Sequence, residues 1–472
     1  MFQTIGQFLS EFSNAMYTYV LVILLICAGL YFTVRTKGAQ FRLLIESIRV
    51  MTEKTDESNV SPVGAMVVTI ASRVGTGNII GITTAILTGG YGSVFWMWII
   101  AIIGASTSLI ESTLAQIFKR KNKRGKFYGG PAYYIQFAFK GKKALAYIFT
   151  VVLIATYGVG FNLLASYNLQ SSFEIFAWYN PGITCWIIGG ISAVLVFYCL
   201  TGSGKRIVSV TEFLVPVMGI GFVLIALIIT FMNIQNIGYV FERIFAEAFD
   251  FQAIFGAFAG SALMMGIKRG LFSNEAGVGS APNAAATADT SHPVKQGLAQ
   301  MLSVFIVTLL ICSATAFMIM MTGLENTDNL NPAAFIQLCL SENFGPIGPV
   351  LICVFLCLFA FTTLIGNYYY VNSALPFITK RKRASKWFNT VIHLLASLVI
   401  FVGAGLESQT AWDIADILMG FMCIINIPVI LYLGKYAFRA IDDYAKQKKK
   451  GLDPVFKSEN IGLKGKTQCW ED

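Results

Sequence analysis

The sequence predicts an all-α polytopic membrane protein of about eleven transmembrane helices, an N-terminal anchor followed by two sets of five. Three observations carry this reading. Hydrophobic residues make up 56% of the 472 and charged residues only 13%, too little polar surface for a soluble chain of this size. Hydropathy places spans near 15–34, 62–87, 93–118, 144–171, 183–201, 207–232, 252–267, 296–322, 348–376, 387–405 and 412–434. The second and the seventh of these, each the first of a set of five, carry small and polar residues halfway along.

Charge gives the orientation. With the N-terminus placed outside, 33 of the 35 Lys and Arg residues fall in inward-facing segments, leaving only Arg243 in an outer loop and Arg73 within a span. Such one-sidedness is a positive-inside signal that sets the C-terminus in the cytoplasm. The net charge of +10 therefore reports orientation and attraction to membrane lipid, not a nucleic-acid partner. The nine cysteines show no metal or disulfide spacing and read as core residues.

The opening residues MFQTIGQFLSEFSNAMY lack a basic leader and a small-residue cleavage site, so the first span is expected to remain as an anchor. Phe41, Leu44, Ile48 and Met51 fall on one face of an interfacial helix, and residues 52–60 read as a polar linker. The expected divisions are residues 1–60, the anchor and interfacial helix; 61–234 and 235–438, the two repeats; and 439–472, a basic cytoplasmic tail read as flexible from residue 446.

The second span is PVGAMVVTIASRVGTGNIIGITTAIL, interrupted at Val74-Gly75-Thr76-Gly77-Asn78. An unsatisfied peptide group in lipid costs several kcal/mol, so a helix that breaks at mid-depth must be buried in protein or line a polar cavity. The alternative is that the glycines only let helices pack closely. The seventh span favours the first reading, because it carries Gly256, Gly260, Gly266 and Gly270 with Gly260-Ser261 halfway along. Five is an odd number, so two sets of five enter the membrane from opposite faces, and a broken helix at the head of each is the pattern of an inverted-repeat secondary transporter with its site at the midplane.

Remaining features are weaker. Trp96 and Trp98 suit an outer aromatic belt. Arg73 and Glu111 are both deep enough in their spans to require a partner, and they are expected to pair or to share a polar vestibule. TGSGK at 201–205 lacks a phosphate loop's first glycine and its hydroxyl after lysine, so it reads as a short inner turn. Glu212 is placed at the inner interface and 380–386 in a basic hinge. Asp413 and Asp416 either attract cations at the outer mouth of the last span or stabilise its N-terminus, the second being favoured.

A membrane enzyme would need a catalytic cluster, but the two histidines, His292 in an inner loop and His393 in an apolar span, have no partnered nucleophile or metal spacing. A channel would need a filter or a pore ring, and the chain shows an internal two-fold repeat instead.

Several long stretches resemble one family. SRVGTGN at 72–78, GGYGSVFWMW at 89–98, the Ala- and Asn-rich loop 268–297, FAFTTLIGNYYY at 359–370 and WDIADILMGFM at 412–422 are similar to the alanine/glycine:cation symporters of prokaryotes, nearly end to end. The resemblance implies a leucine-transporter-type five-plus-five inverted repeat and import of a small neutral amino acid by alternating access. It implies Na+ as coupling ion, with H+ an alternative, no organic cofactor, and a plasma-membrane location. The rivals kept open are a proton-coupled carrier of another small zwitterion and, less favoured, a channel.

Site residues follow residue by residue. The resemblance, and the free amides at a helix start, place the substrate carboxylate at Thr76 and Gly77. It places Na+ between the carbonyls of Ala71 and Val74 and the hydroxyls of Thr362 and Thr363. Asn78 would link ion to substrate through its side-chain oxygen, with Asn162, Ala165, Gly260, Ser261 and Asn367 completing the substrate site. Four positions depart from the family: Ala165 and Tyr167 stand where Gln and Asn are general, Asn367 where many members have Trp, and Asn372 where Glu is common. An amide in place of a ring leaves room, which favours glutamine or alanine over glycine as substrate.

Overall fold

A chain this apolar must satisfy its peptide groups within each span, and helices do so locally. The computed structural model describes residues 2–471 except 54–59, 124, 202–203, 257 and 380–385. The expected linker at 52–60, the turn at 201–205 and the basic hinge at 380–386 therefore lie wholly or partly outside the described residues, as does the side chain of Glu212.

Among the described residues, eight helices are long and apolar enough to cross a membrane, and the bent pair Pro62–Arg73 with Thr76–Gly89 makes a ninth. The helix Lys386–Gly403 and a second broken helix, Ala262–Asn274 with Ala281–Ala285, complete the eleven. Behind the anchor, the first set runs through the first broken helix, Gly92–Ile117, Ala144–Ser171, Thr184–Thr201 and Gly204–Met232. The second set runs through the second broken helix, Pro293–Met320, Ile347–Thr379, Lys386–Gly403 and Ser408–Lys449. A short helix lies between the second and third members of each set, Pro131–Ala138 in one and Pro332–Phe344 in the other. The two sets thus match in their loops as well as in their spans.

The stretch read as one interfacial helix forms two short helices, Ala39–Arg42 and Leu44–Met51; Phe41, Ile45 and Ile48 are exposed, whereas Leu44 and Met51 of the expected face are partly buried. Trp96 and Trp98 do more than mark an interface: their ring nitrogens donate to the Ala248 carbonyl at 2.9 Å and to the Ser313 hydroxyl at 2.8 Å. His393 is partly buried, with its ring edge-on to Tyr368.

Two expectations need correction. The seventh span lies further along the chain than hydropathy placed it: a six-residue helix, Phe251–Gly256, and a 3-10 turn, Phe258–Gly260, precede the helix Ala262–Asn274, so the chain is interrupted at Gly260–Ser261 near the start of the span and not halfway along it. Ser261 starts that helix by accepting from the Met264 amide. Its deep break comes at 275–280, where Glu275, Gly277 and Gly279 have φ of 50°, 86° and 86°. Residues 268–285 are consequently buried in the helix bundle, and only 286–292, packed against the folded tail, remain a loop between this span and the next. Lys268 and Arg269 disguised the burial. Both are buried and reach Asp416 near the start of the last helix, at 3.0 and 3.2 Å, so they leave the inner-facing tally of positive charge. Asp416 is a buried partner of cations and not a simple helix-end charge, whereas Asp413 accepts from Gln409 at 3.0 Å.

The tail, expected to be flexible, is folded against the C-terminal face. Leu463 and Trp470 are buried, the Trp470 ring nitrogen donates to the Gln116 carbonyl at 2.9 Å, and the Phe456 amide donates to Ser291 at 3.0 Å. Its apolar residues at 456, 461, 463 and 470 are too widely spaced for a helical or strand period, so the sequence pattern gave no sign of packing.

Candidate substrate and cation site

The first broken helix sets the geometry. Its first half ends at Arg73, Val74 leaves helical space at ψ 86°, and Gly75 is fully extended. The Gly75 amide turns back to the Arg73 carbonyl at 3.1 Å, so it no longer bonds to Ala71, whose carbonyl loses its helical partner. A single 3-10 turn, Thr76–Asn78, then restarts the helix, and the two halves meet at 64°. Packing enforces the glycines: a Cβ on Gly75 would lie 2.3 Å from the Thr363 hydroxyl, and one on Gly77 2.2 Å from the Phe272 ring.

Neighbouring helices hold the break. The Asn78 side-chain amide donates to the Arg73 carbonyl at 2.9 Å, Thr315 donates to the Asn78 carbonyl at 2.9 Å, and Asn168 donates to the Thr76 hydroxyl at 3.1 Å. Gly366 lets the helix Ile347–Thr379 cross at van der Waals distance, since a Cβ there would lie 2.8 Å from the Ser72 nitrogen. Two side-chain oxygens at the break are left over, those of Asn78 and Asn168. Asn78 Oδ1 is fully buried without a hydrogen-bond partner, an arrangement that costs about 1–3 kcal/mol unless a ligand supplies the missing contact. A cation or an ammonium group fits that oxygen, and a carboxylate does not.

The expected cation donors divide into two groups. The Thr363 hydroxyl lies 3.4 Å from the Val74 carbonyl oxygen, and Ala71 is at the same helix end, packed against Gly366. These are hard oxygen donors of the type alkali and alkaline-earth cations prefer. Thr362 is turned away: its hydroxyl bonds to Leu358 and Phe359 of its own helix, both at 3.1 Å, and faces the Met218 sulfur.

Beside the break is a closed cavity lined by Ser72, Arg73, Gly75, Thr76, Gly77, Phe161, Leu164, Ala165, Phe272, Glu275 and Thr363. It leaves about 10 Å³ for water centres, room for one water molecule. Rings cover one side, Phe272 lying 4.8 Å from Phe161 and 5.1 Å from Trp412 between centroids, with Arg269 stacked on Trp412 at 4.0 Å. On the other side Arg73 Nε lies 3.8 Å from Glu275, and its Nη1 donates to Ser303 at 2.7 Å. Glu275 in turn accepts from Ser280 at 2.5 Å. Glu111 is not the partner of Arg73, for it accepts from Asn426 at 3.1 Å, and Asn426 accepts from Tyr134 at 2.6 Å.

Of the expected substrate residues, Thr76, Gly77 and Ala165 line this cavity and Asn78 adjoins it. Asn162 and Asn367 stand just behind in a chain of side chains: Ser72 donates to Asn367 at 2.8 Å, and Asn367 donates to Asn162 at 3.0 Å. Gly260 and Ser261 are elsewhere. The neighbour of Gly260 is Thr88, ten residues past Asn78 and so about 15 Å further along the helix. Phe161, Phe272 and Glu275 were missed as cavity residues. The left-handed pair Gly277 and Gly279, in AGVGS, was the sequence signal for the second break.

A helix broken beside a sealed chamber at the head of each of two matching five-helix sets defines a secondary transporter. The family can then be stated: the chain belongs to the sodium:alanine symporter family, whose model matches residues 2–458. It is 41% identical over 462 residues to a probable sodium/glutamine symporter of Bacillus subtilis (strain 168), covering 97% of this chain and 94% of that one. It is 40% identical over 463 residues to an amino-acid carrier protein of the same strain, covering 98% and 96%. A sodium/proton-dependent alanine carrier protein of Bacillus sp. (strain PS3) is 34% identical over 437 residues, covering 89% and 95%. Among solved structures, a substrate-bound, outward-open Na+-coupled sialic acid symporter aligns with a TM-score of 0.47 at 12% identity, covering 92% of this chain and 86% of that chain.

Proposed function

We propose that this chain imports a small neutral amino acid, glutamine or alanine ahead of glycine, coupled to Na+ by alternating access. The observation that carries the reading is one helix break at which Thr76 and Gly77 line the cavity and the next residue, Asn78, holds a buried side-chain oxygen with no hydrogen-bond partner. The amides at the start of the outer half suit the substrate carboxylate. Val74 and Thr363 supply oxygens for the cation, with Ala71 at the same helix end. Asn78 Oδ1 links the two. Relatives named for glutamine and for alanine support the substrate class.

The chamber is too small for an amino acid as it stands, so it represents a closed state from which Phe272 and its neighbours must withdraw on one side, or the Arg73–Glu275 contact must open on the other. A solvent-excluded chamber with two separate barriers is what alternating access requires. The N-terminus is placed outside and the C-terminus in the cytoplasm of a prokaryotic plasma membrane, supported by the basic residues past Lys435 in the last helix and tail.

Counterflow in proteoliposomes tests the reading, with labelled alanine and glutamine and with Na+ and pH gradients imposed independently. Saturable uptake driven by an inward Na+ gradient at equal pH is expected. Uptake driven by a pH gradient alone, indifferent to Na+, would favour the proton-coupled alternative and remove the role given to Val74 and Thr363.

A further inference from the structure

At the C-terminal face, well away from the sealed chamber, there is a cleft of about 610 Å³ between the end of the helix Gly92–Ile117, the short helix Pro131–Ala138, the last helix and the folded tail. Its volume is in the range of ligand sites. Lys119, Arg120, Lys140 and Lys466 line it, with Tyr432 and Tyr436 on one wall, and none of its fifteen lining residues is acidic.

The four cations are not equivalent. Lys119 is already occupied, its amine 3.1 Å from the Ala288 carbonyl and over the rings of Phe127 and Trp470 at 4.0 and 4.6 Å. Arg120 stacks over Tyr133 at 4.8 Å, but among the described residues no carboxylate is within ion-pair distance of Arg120, Lys140 or Lys466. Three cations outside any such ion pair line one concave, aromatic-walled space and favour an anion there, with the carboxylate at its rim, Glu471, held by the Gly465 and Thr467 amides at 2.7 and 3.0 Å.

The position of the cleft selects the source of that anion. Tyr432, on the membrane-crossing part of the last helix, is 62% exposed, and Phe139, beside the cleft at the end of the short helix, is 45% exposed. An apolar flank next to a basic hollow at the membrane boundary suits a molecule with a phosphate head and acyl chains, because basic pockets between membrane helices take anionic head groups in this way. We propose that this cleft binds the phosphate of an anionic phospholipid, which thereby ties the tail residues 466–468 to the inner ends of two membrane helices.

The test uses the purified full-length chain in nanodiscs and native mass spectrometry, counting retained phosphatidylglycerol against phosphatidylcholine. The variant combines Arg120→Gln, Lys140→Gln and Lys466→Gln. A control of equal charge change, Lys143→Gln with Lys450→Gln and Lys457→Gln, removes exposed cations outside the cleft. Selective retention of phosphatidylglycerol is expected in the parent chain and the control. The cleft variant should bind about 100-fold more weakly, at roughly 5-fold per cation near an anionic surface. Thermal unfolding without added lipid checks that the variant is folded. Equal loss in variant and control would show a diffuse surface attraction and overturn the proposal. Binding of inorganic phosphate without phosphatidylglycerol would overturn the lipid as source.

Discussion

The Thr363 hydroxyl lies 3.4 Å from the Val74 carbonyl oxygen, directly against Gly75, while Thr362 beside it turns away, bonding to Leu358 and Phe359 of its own helix and to the Met218 sulfur. Successive residues on a helix point about 100° apart, so of two adjacent threonines only one can face the break. Thr363→Ala is therefore expected to raise the Na+ concentration for half-maximal uptake by at least about 10-fold, equivalent to one lost charge-assisted contact of about 1.5 kcal/mol. Thr363→Ser should retain coupling, and Thr362→Ala should change the Na+ dependence less than about 3-fold. Uptake titrated with Na+ at fixed alanine distinguishes the two positions, and equal effects would move the ion elsewhere.

Asn78 spends its amide on the Arg73 carbonyl and keeps its oxygen unbound. Asn78→Ala removes both groups and is expected to abolish measurable uptake while lowering stability by only about 1 kcal/mol. Uptake and detergent-solubilised thermal unfolding, measured on the same preparation, separate the effects. Retained uptake with lowered stability would make Asn78 a structural cap alone.

Asn367 is fully buried and bonded on both sides, to Ser72 and to Asn162, and it does not touch the cavity. Its amide supports the wall and does not by itself enlarge the pocket. Asn367→Ala is expected to destabilise the protein by about 1–3 kcal/mol, the cost of orphaned buried polar groups. It should weaken glutamine and alanine to a similar degree in a competition assay. A selective loss of glutamine would restore Asn367 as a specificity residue.

Arg73 and Glu275 come from the two broken helices, and their contact closes one side of the chamber. Removing either charge leaves the other buried, at a cost of about 3–5 kcal/mol, whereas replacing both can be nearly neutral. Arg73→Met and Glu275→Leu should each reduce the folded yield sharply. The double variant should recover it but no longer hold that side closed, which raises the accessibility of a cysteine placed at Ser72 to a thiol reagent.

His292 at the C-terminal face accepts the Val294 amide at Nδ1 and lies 3.3 Å from Asp443 through Nε2, which defines a neutral ring carrying its proton on Nε2. Burial holds its pKa below the ordinary value, against the opposing pull of Asp443 and with the help of Lys295. The folded form therefore binds fewer protons than the unfolded one just below pH 6.5, so the ring's contribution is full above that value and is lost as pH falls through the lowered pKa. Thermal unfolding at pH 7.5 and pH 5 should show a loss on acidification that His292→Asn diminishes. Hydrogen exchange in residues 453–471 should rise in parallel.

Local composition determined much of this protein. Apolar runs of bilayer length fixed the membrane class, and Gly75, Thr76 and Gly77 within one such run marked the first break, because the rules for both are local. The second break was misplaced by some fifteen residues, since Lys268 and Arg269 read as charges that must be at a surface. Their neutralising partner, Asp416, is 148 and 147 residues away in the chain, and burial is tolerated only once that contact exists. The same holds for Arg73, whose partner is Glu275 and not the nearer-numbered Glu111, and for Thr363, which is chosen over Thr362 by rotation about a helix axis. Pairing across hundreds of residues and the angle at which one helix meets another are set by packing of the whole bundle, so only the tertiary structure could decide them.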